Sequence, residues 1–399
     1  MRSCLLHLGR AGFGMEATTN EVTMLDFTSA LYLGLRHPSN SLRPWSQLTT
    51  GKPAALDAPA NERRIAQCLA ELIGCERAVI GPSTLHLFWD LFGVLAQDNV
   101  SVYLDTGVYP IAKWGVERAA AHGVPVYTFA HHDVKALERC LKHDVSQRFK
   151  PVVVADGFCP GCGHLAPIPG YLDLIRNRGG YLVLDDTQAL GILGHSPGVG
   201  APYGKGGGGS LRWSRASSSQ VIMVSSLAKG FGVPVAVLSG SRVWIERFES
   251  QSETRLHTSP PSTAVFHAAE HALAVNRARG DALRSRLAHL VRQFRKHLAT
   301  YGLSTTGGVF PVQILRCIPK LDARRVHNRL LDLGVRAVLH RPRCQRRAAL
   351  SFLITALHRF ADIERVGHAL AEAITHVRAT NRLKMETDHA YFEVGFGSI

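Results

Sequence analysis

The chain has 399 residues, 46% hydrophobic and 19% charged, which is enough apolar material for a large core divided between a major and a minor domain. No run of about eighteen apolar residues occurs and the apolar stretch near Met1 is too short for a secretory signal, so we expect a cytoplasmic protein without a membrane span. The net charge is +15 without a nucleic-acid-binding motif, which predicts a solvated basic surface or attraction to a phosphate-bearing coenzyme or an acidic carrier protein, and no nucleic-acid partner.

The first regular pattern is a helix followed by a strand and a second helix. Residues 61–74 carry apolar side chains at helical spacing, and residues 78–80 and 85–95 are typical of a strand and a helix. Ser83 and Thr84 stand in the turn between them. Free amides at the start of a helix bind phosphate, so these hydroxyls are candidate phosphate ligands; their alternative role is to cap the helix.

Alternation of strand and helix continues along the next half of the chain. Apolar strand patterns bracket helical segments and end in turn residues, as in repeated βα units. The predicted strands are residues 100–105, 124–129, 150–155, 181–184 and 221–224. We therefore predict an α/β fold with a mostly parallel sheet between about Gly74 and Gly240.

A glycine- and serine-rich stretch interrupts this pattern at about residues 203–220. It lacks the residue order of a phosphate-binding P-loop, so we expect a flexible surface insertion. Beyond Ala264 a long helical stretch precedes a smaller α+β unit. The predicted organisation is an N-terminal arm (1–50), a large domain (51–270), a small C-terminal domain (271–385) and a tail (386–399).

Eight cysteines are scattered through the sequence, and only Cys159 and Cys162 have the C-x-x-C spacing. A structural zinc site needs a second pair of ligands, and the sequence offers none at a familiar distance. We therefore predict ordinary reduced thiols and no metal.

The most informative residues are a lysine and an aspartate at the ends of two predicted strands. Lys229 lies between the strand at 221–224 and a glycine-rich turn, and Asp185 ends the strand at 181–184. Pyridoxal 5'-phosphate (PLP) binds a lysine amine as a Schiff base and needs a carboxylate to keep its pyridine nitrogen protonated. Either residue alone is more often a surface lysine or a turn aspartate; together they predict a PLP site.

Five motifs in one order resemble the α-oxoamine synthases, a group of fold-type I PLP-dependent enzymes. The group includes 8-amino-7-oxononanoate synthase, 2-amino-3-ketobutyrate CoA ligase, 5-aminolevulinate synthase and serine palmitoyltransferase, and the match covers roughly residues 25–370. The motifs are DFTSALYLGL at 26–35, DG at 156–157, APIP at 166–169, DDTQALGILG at 185–194 and KGFGV at 229–233. The resemblance implies a large domain with a mostly parallel sheet, a smaller C-terminal α+β domain and a homodimer with shared active sites.

The resemblance also implies roles for individual residues. Lys229 is the expected Schiff-base and proton-transfer residue, and Asp185 the partner of the pyridine nitrogen. The other expected cofactor contacts are Tyr109 stacked on the ring, Gln188 near the phenolic oxygen, Ser83, Thr84 and Ser226 at the phosphate, and Thr258 at the partner subunit's phosphate.

Departures from the family pattern concern substrate binding most. Gln188 replaces a histidine, and its amide can donate a hydrogen bond but cannot change charge near neutral pH. Ser351 replaces the arginine that clamps the amino-acid carboxylate, and a hydroxyl cannot form the two charge-assisted bonds of a guanidinium. Arg347, four residues upstream, is our candidate replacement, although a solvated basic loop is an equal alternative.

We therefore predict a PLP-dependent acyltransferase of the α-oxoamine synthase type. It would condense an amino acid with an acyl thioester, carried by CoA or by an acyl carrier protein, with loss of carbon dioxide. Two alternatives follow from the missing arginine: a PLP enzyme of altered reaction, such as an aminotransferase or aldolase, or a non-catalytic partner subunit. Lys229 argues against the last of these.

Overall fold

The structure is a computed structural model that describes residues 24–57, 59, 61–143, 149–319, 321–342 and 347–394. Most of the predicted N-terminal arm, at residues 1–23, and the end of the tail lie outside the described residues. The strands are β1 (Leu25–Asp26), β2 (Arg77–Gly81), β3 (Val100–Asp105), β4 (Val126–Phe129), β5 (Lys150–Asp156), β6 (Phe158–Cys159), β7 (His164–Leu165), β8 (Tyr181–Asp185), β9 (Val221–Ser226), β10 (Ala236–Gly240), β11 (Thr305–Thr306), β12 (Val312–Leu315), β13 (Val335–Arg336), β14 (Val338–His340) and β15 (Ala349–Leu353).

Helices follow most of these strands. They are α1 (Glu62–Ile73), α2 (Thr84–Leu95), α3 (Pro110–Ala121), α4 (Val134–His143), α5 (Ile168–Ile175), α6 (Ser210–Trp213), α7 (Arg242–Gln251), α8 (Glu253–His257), α9 (Thr263–Thr300), α10 (Ala323–Asp332) and α11 (Phe360–Val394). Single turns of 3₁₀ helix occur at Ser39–Ser41 and Arg176–Arg178. No helix among the described residues is long and apolar enough to cross a membrane.

A seven-stranded sheet forms the centre of the large domain. Its strand order is β2-β10-β9-β8-β5-β3-β4, and all its strands are parallel except β10, which is antiparallel to both neighbours. Parallel strands are buried on both faces, which explains the continuous apolar runs in β5, β8 and β9. Separate apolar clusters pack on the two faces of the sheet. Because parallel strands end at one edge, the residues after β3, β5, β8 and β9 are brought together there.

The smaller unit contains a four-stranded antiparallel sheet of order β11-β12-β15-β14, beside α10 and α11. The N-terminal strand β1 joins this end of the molecule, because Leu25 and Asp26 pair in parallel with Val335 and Arg336. The predicted boundary at residue 270 falls within the continuous 38-residue helix α9, so the helix runs through both predicted domains.

The glycine-rich stretch differs from its prediction as a flexible insertion. Residues 203–211 are buried apart from Lys205 and Gly206, and they fold back on the segment that follows β8. Gly207 accepts a backbone hydrogen bond from Gly191 at 2.8 Å, and Gly209 donates one to Leu193 at 2.7 Å. Glycine is required here because several positions have positive φ and because neighbouring backbone leaves no room for a Cβ atom. Residues 203–211 are therefore packed in the large domain, whereas residues 212–220 are exposed or partly exposed.

Candidate active site

Predicted site residues meet in a cavity of about 220 Å³ at the ends of the parallel strands. Six of the predicted residues line it: Thr84, Tyr109, Asp185, Gln188, Ser226 and Lys229. The other lining residues are Ile111, Asp156, Phe158, Thr187 and Ala228. The cavity therefore has an amine, two carboxylates, hydroxyl groups and an aromatic ring around one space.

Lys229 reaches the cavity from the turn after β9. The turn is closed by hydrogen bonds from the backbone amides of Ala228 to Ser226 Oγ (3.2 Å) and of Leu227 to the Val235 carbonyl (2.8 Å). The lysine Nζ lies 5.9 Å from the centre of the Tyr109 ring. Tyr109 immediately precedes α3, lines the cavity and is 45% exposed.

Asp185 is the last residue of β8 and is 7% exposed. One of its carboxylate oxygens accepts a hydrogen bond from the Thr187 amide at 3.0 Å, which fixes the carboxylate at the cavity wall. The Thr187 hydroxyl in turn accepts a hydrogen bond from the Ser226 amide at 3.0 Å and joins the ends of β8 and β9. Thr187 is a site residue that the sequence analysis did not select, although it stands within the quoted DDTQ motif.

The neighbouring carboxyl group, Asp186, faces the protein interior. Its side chain is fully buried, and burial raises its pKa to about 7. One oxygen accepts a hydrogen bond from the Ser210 amide at 2.9 Å, at the end of the buried glycine-rich stretch. The two consecutive aspartates therefore have different surroundings. The Asp185 side chain lines the cavity, whereas the Asp186 side chain binds the end of the glycine-rich stretch.

Gln188 is oriented by a residue from the first sequence motif. The buried Tyr32 hydroxyl donates a hydrogen bond to Gln188 Oε1 at 2.7 Å, which leaves the amide nitrogen as the donor. The Tyr32 ring meets Phe310 edge-on, with ring centres 5.8 Å apart. Phe310 also stacks on Phe158 of the cavity wall at 4.0 Å, so the small domain supports the cavity through aromatic contacts.

Asp156 holds the backbone of Tyr109 in position. It is 4% exposed at the end of β5 and accepts a hydrogen bond from the Tyr109 backbone amide at 2.9 Å. Asp156 belongs to the DG motif at 156–157, from which no role for it was predicted. Its position at the end of a predicted strand was the one sequence feature that could have indicated a role in the site. The contact with Tyr109 depends on the pairing of β3 with β5, which cannot be predicted from the sequence alone.

Ser83 and Thr84 stand where β2 passes into α2, as predicted. Ser83 immediately precedes the helix, and its hydroxyl is 2.9 Å from His86 Nδ1, whereas Thr84 lines the cavity. The first turn of α2 contains no acidic residue, so its free amides present a positive end to the cavity.

Three other residues of interest lie away from the cavity lining. The Thr258 hydroxyl donates to the Thr254 carbonyl at 2.7 Å. Arg347 is exposed, with Nη1 3.7 Å from Cys317 Sγ, so the structure does not bring it to the cavity. Ser351 is 1% exposed, and its hydroxyl lies 2.6 Å from His340 Nε2 within the small sheet. The roles predicted for Thr258 and Arg347 stay predictions.

The comparisons with known proteins agree with this geometry. The model of the aminotransferase class I and II family matches residues 61–352. The chain belongs to this family. It is 27% identical over 360 residues to the 8-amino-7-oxononanoate synthase of Sodalis glossinidius, covering 88% of each chain, and 25% identical over 368 residues to that of Dechloromonas aromatica, covering 90% of this chain and 92% of that one.

Solved structures show the same fold at lower sequence identity. A serine palmitoyltransferase from S. paucimobilis superposes with a TM-score of 0.76 at 17% identity, covering 89% of this chain and 88% of that one. An 8-amino-7-oxononanoate synthase from Francisella tularensis gives 0.69 at 17% identity, covering 89% and 98%. The predicted fold-type I architecture and the resemblance to the α-oxoamine synthases are confirmed.

Proposed function

We propose that the chain is a PLP-dependent acyltransferase of the α-oxoamine synthase type, which condenses an amino acid with an acyl thioester and releases carbon dioxide. The observation that carries the proposal is the convergence of Lys229, Asp185 and Tyr109 on one cavity. Family membership and the similarity to 8-amino-7-oxononanoate synthases support the same cofactor and the same class of reaction.

The residues around the cavity fit PLP. Lys229 would provide the amine that binds the cofactor, and the buried Asp185 carboxylate would keep its pyridine nitrogen protonated. Tyr109 offers an aromatic face. The Thr84 and Ser226 hydroxyls, with the amides that begin α2, provide neutral donors for its phosphate. When bound, PLP supplies an electron sink for a carbanion beside the amino nitrogen of the substrate.

The protein's part in the reaction is to position groups and to move a proton. Lys229 Nζ removes the proton from the substrate's α-carbon and returns a proton after the carboxyl group has left, because it is the amine at the cavity. Gln188, whose amide oxygen is held by Tyr32, would offer its amide hydrogen to an oxygen of the bound cofactor. Tyr109 and Phe158 cover the reacting atoms and limit the access of water.

Recognition of the substrate carboxylate is the part of the family site that has changed. Lys229 is the one cationic side chain among the described residues that line the cavity, and Ser351 is buried against His340. We propose that a cation outside the present lining binds the carboxylate, with Arg347 as the first residue to test. In Arg347→Ala the dissociation constant of the amino acid is then expected to rise by about tenfold or more with unchanged PLP affinity.

The acyl donor is proposed to be an acyl-CoA or an acylated carrier protein, because both are anionic and the chain has a net charge of +15. We also propose a cytoplasmic homodimer. The donor can be identified by supplying the same acyl group on CoA or on an acyl carrier protein, together with a panel of amino acids. The released carbon dioxide and free thiol are then measured for each combination. Transfer of the amino group to a keto acid without either product would instead favour the altered-reaction alternative.

The central experiment is reduction of the protein with borohydride in the presence of PLP, followed by peptide mapping. The pyridoxyl group is expected on Lys229, and Lys229→Ala should lose both the adduct and turnover. Lys113→Ala is a matched control because Lys113 is exposed on α3. Asp185→Asn should remain folded while its turnover falls by about 10²–10⁴-fold. An adduct on another lysine, or near-normal turnover of Asp185→Asn, would overturn the assignment.

A further inference from the structure

A second cluster of reactive side chains lies beside the cavity, where β4 ends near the β6–β7 hairpin. It contains two consecutive histidines, His131 and His132, and the two cysteines of the C-x-x-C motif. Cys159 ends β6, and Cys162 lies in the turn before β7. The sequence offers no second ligand pair at a familiar distance from the two cysteines, whereas the fold brings two histidines from the end of another strand to them.

The distances within the cluster match those around a zinc ion. His131 Nε2 is 3.6 Å from Cys162 Sγ, and ligand atoms of His131, His132 and Cys162 all lie within 4.8 Å of one another. Nitrogen and sulfur atoms bound tetrahedrally to zinc, at about 2.0–2.1 Å and about 2.3 Å, are about 3.5 Å apart. Cys159, three residues before Cys162 and 2% exposed, is the candidate for the fourth ligand.

The backbone places the rings of the two consecutive histidines side by side. His132 has a left-handed backbone conformation, with φ of 56°, which is uncommon for a residue other than glycine. The two rings are consequently stacked, with centres 3.8 Å apart and planes at 29°. Strain of this kind persists where surrounding structure fixes it, and it is concentrated at functional sites.

Hydrogen bonding around the histidines also fits metal ligation. Asp105, at the end of β3, accepts a hydrogen bond from His131 Nδ1 at 2.7 Å, so the other ring nitrogen faces the thiol. A carboxylate behind a histidine is the usual support of a zinc ligand. Both ring nitrogens of His132 are buried without a hydrogen-bond partner among the described residues, which leaves an electron pair for an ion.

We propose that His131, His132, Cys159 and Cys162 bind one Zn²⁺ ion through two imidazoles and two thiolates. Two thiolates with two imidazoles in a tetrahedral arrangement are typical of zinc. The ion would tie the end of β4 to the β6–β7 hairpin. Because Phe158 immediately precedes Cys159 and Asp156 lies three residues before it, the same ion would stiffen the cavity wall that contacts Tyr109.

The test is zinc binding by the full-length, reduced protein after removal of metal by a chelator. We expect about one zinc per chain by elemental analysis, with a dissociation constant below about 10⁻⁷ M in competition with a chromophoric chelator. Replacement by Co²⁺ should give the visible absorption and thiolate charge-transfer bands of a tetrahedral site. Neither measurement requires PLP or turnover, so its outcome is independent of the proposed activity.

Substitutions separate the proposed site from adventitious binding. Cys162→Ser and His132→Asn should weaken zinc binding by at least about 100-fold, and Asp105→Asn by about 10–100-fold. Cys68→Ser and His122→Asn are matched controls outside the cluster and should bind zinc as the original protein does. Zinc should raise the melting temperature of the original and control proteins but not of Cys162→Ser, whose circular dichroism reports whether it is folded.

Two results would overturn the proposal. The first is absence of bound zinc in the folded, reduced protein, or equal zinc affinity in the cluster variants and the controls. The second is a Cys159–Cys162 disulfide in freshly purified protein that is restored after reduction even when zinc is present, because both thiolates would then be unavailable.

Discussion

The hydrogen bond from Tyr32 to Gln188 fixes which end of the Gln188 amide is available to the proposed cofactor. The family histidine at position 188 would fix its own tautomer by charge and hydrogen bonding, whereas an amide can present either end. Here the Tyr32 hydroxyl, fully enclosed by the protein, occupies the amide oxygen. The substitution of histidine by glutamine is therefore compatible with a donor at the cavity as long as Tyr32 is present.

Tyr32→Phe should consequently weaken PLP binding more than it weakens folding. Loss of a hydrogen bond of about 0.5–1.5 kcal/mol corresponds to a roughly 2–12-fold weaker affinity, and the absorption maximum of the bound cofactor should shift because the Gln188 amide is free to turn. Titration with PLP followed by absorbance measures both. Tyr203→Phe is the matched control, since this equally buried hydroxyl donates to the Val309 carbonyl away from the cavity. Equal PLP affinities in the two variants would contradict the assigned role.

The site residues that could be predicted from the sequence are those whose position is indicated by their immediate neighbours in the chain. Lys229 follows and Asp185 ends an apolar run that is typical of a buried strand, so their placement at strand ends was predictable. The partnership of Asp156 with Tyr109, and of His131 with Cys162, joins residues from different strands. Such pairs depend on strand order and register, which a single sequence does not contain. The exposed position of Arg347 depends on tertiary packing in the same way.

Among the elements, the glycine-rich stretch departs furthest from its sequence pattern. Repeated glycine is typical of a flexible linker in isolation. The residues instead form close turns over the segment after β8, with Gly207 beside Arg284, whose guanidinium donates to the Gly191 carbonyl at 2.8 Å. Composition could not distinguish a linker from a stretch packed too tightly for side chains. The apolar strands of the large sheet were predictable because burial on both faces leaves a continuous signal.

Gly207→Ala should therefore be strongly destabilising. The residue has φ of 75°, and an added Cβ would lie 2.5 Å from Arg284 Nη1 and 2.8 Å from the Gly191 carbonyl oxygen. We expect a loss of roughly 2–4 kcal/mol of unfolding free energy, combining left-handed strain with overpacking. Gly198→Ala is the control in the same loop region, because nothing lies within 4 Å of its added Cβ and its φ is not positive. Similar urea midpoints for the two variants would refute a packed role for the stretch.

At the scale of the whole molecule, the cavity receives contributions from many parts of the chain. The strands of the large sheet supply its reactive groups, and Phe310 near the small sheet supports its wall. The proposed phosphate end of the cavity has the neutral hydroxyls of Thr84 and Ser226 within one chain. The proposed homodimer would bring Thr258 of one subunit to the phosphate of the other, which is a property of the pair rather than of the single chain.

Mixed dimers can test this sharing. We expect Lys229→Ala to lack turnover and Thr258→Ala to have weaker PLP affinity by several-fold, from loss of one hydrogen bond to phosphate. When the two variants are unfolded, mixed and refolded together, some dimers should contain one fully intact site and recover normal PLP affinity at that site. Sedimentation confirms the dimer, and PLP-dependent turnover measures recovery. If the mixed dimers have only the PLP affinity of Thr258→Ala, Thr258 does not contribute to the site of the other subunit.

The pairing of β1 with β13 has a consequence for biosynthesis. Leu25 and Val335 stand side by side in the folded protein but leave the ribosome far apart in time, by roughly 15–60 s at typical rates of translation. The large sheet can assemble earlier, because its last strand, β10, is complete at Gly240. The small sheet and the segment that carries Tyr32 must wait for nearly the whole chain. During synthesis the part of the cavity that contains Lys229 therefore forms first. The hydrogen bond from Tyr32 that fixes Gln188 forms last.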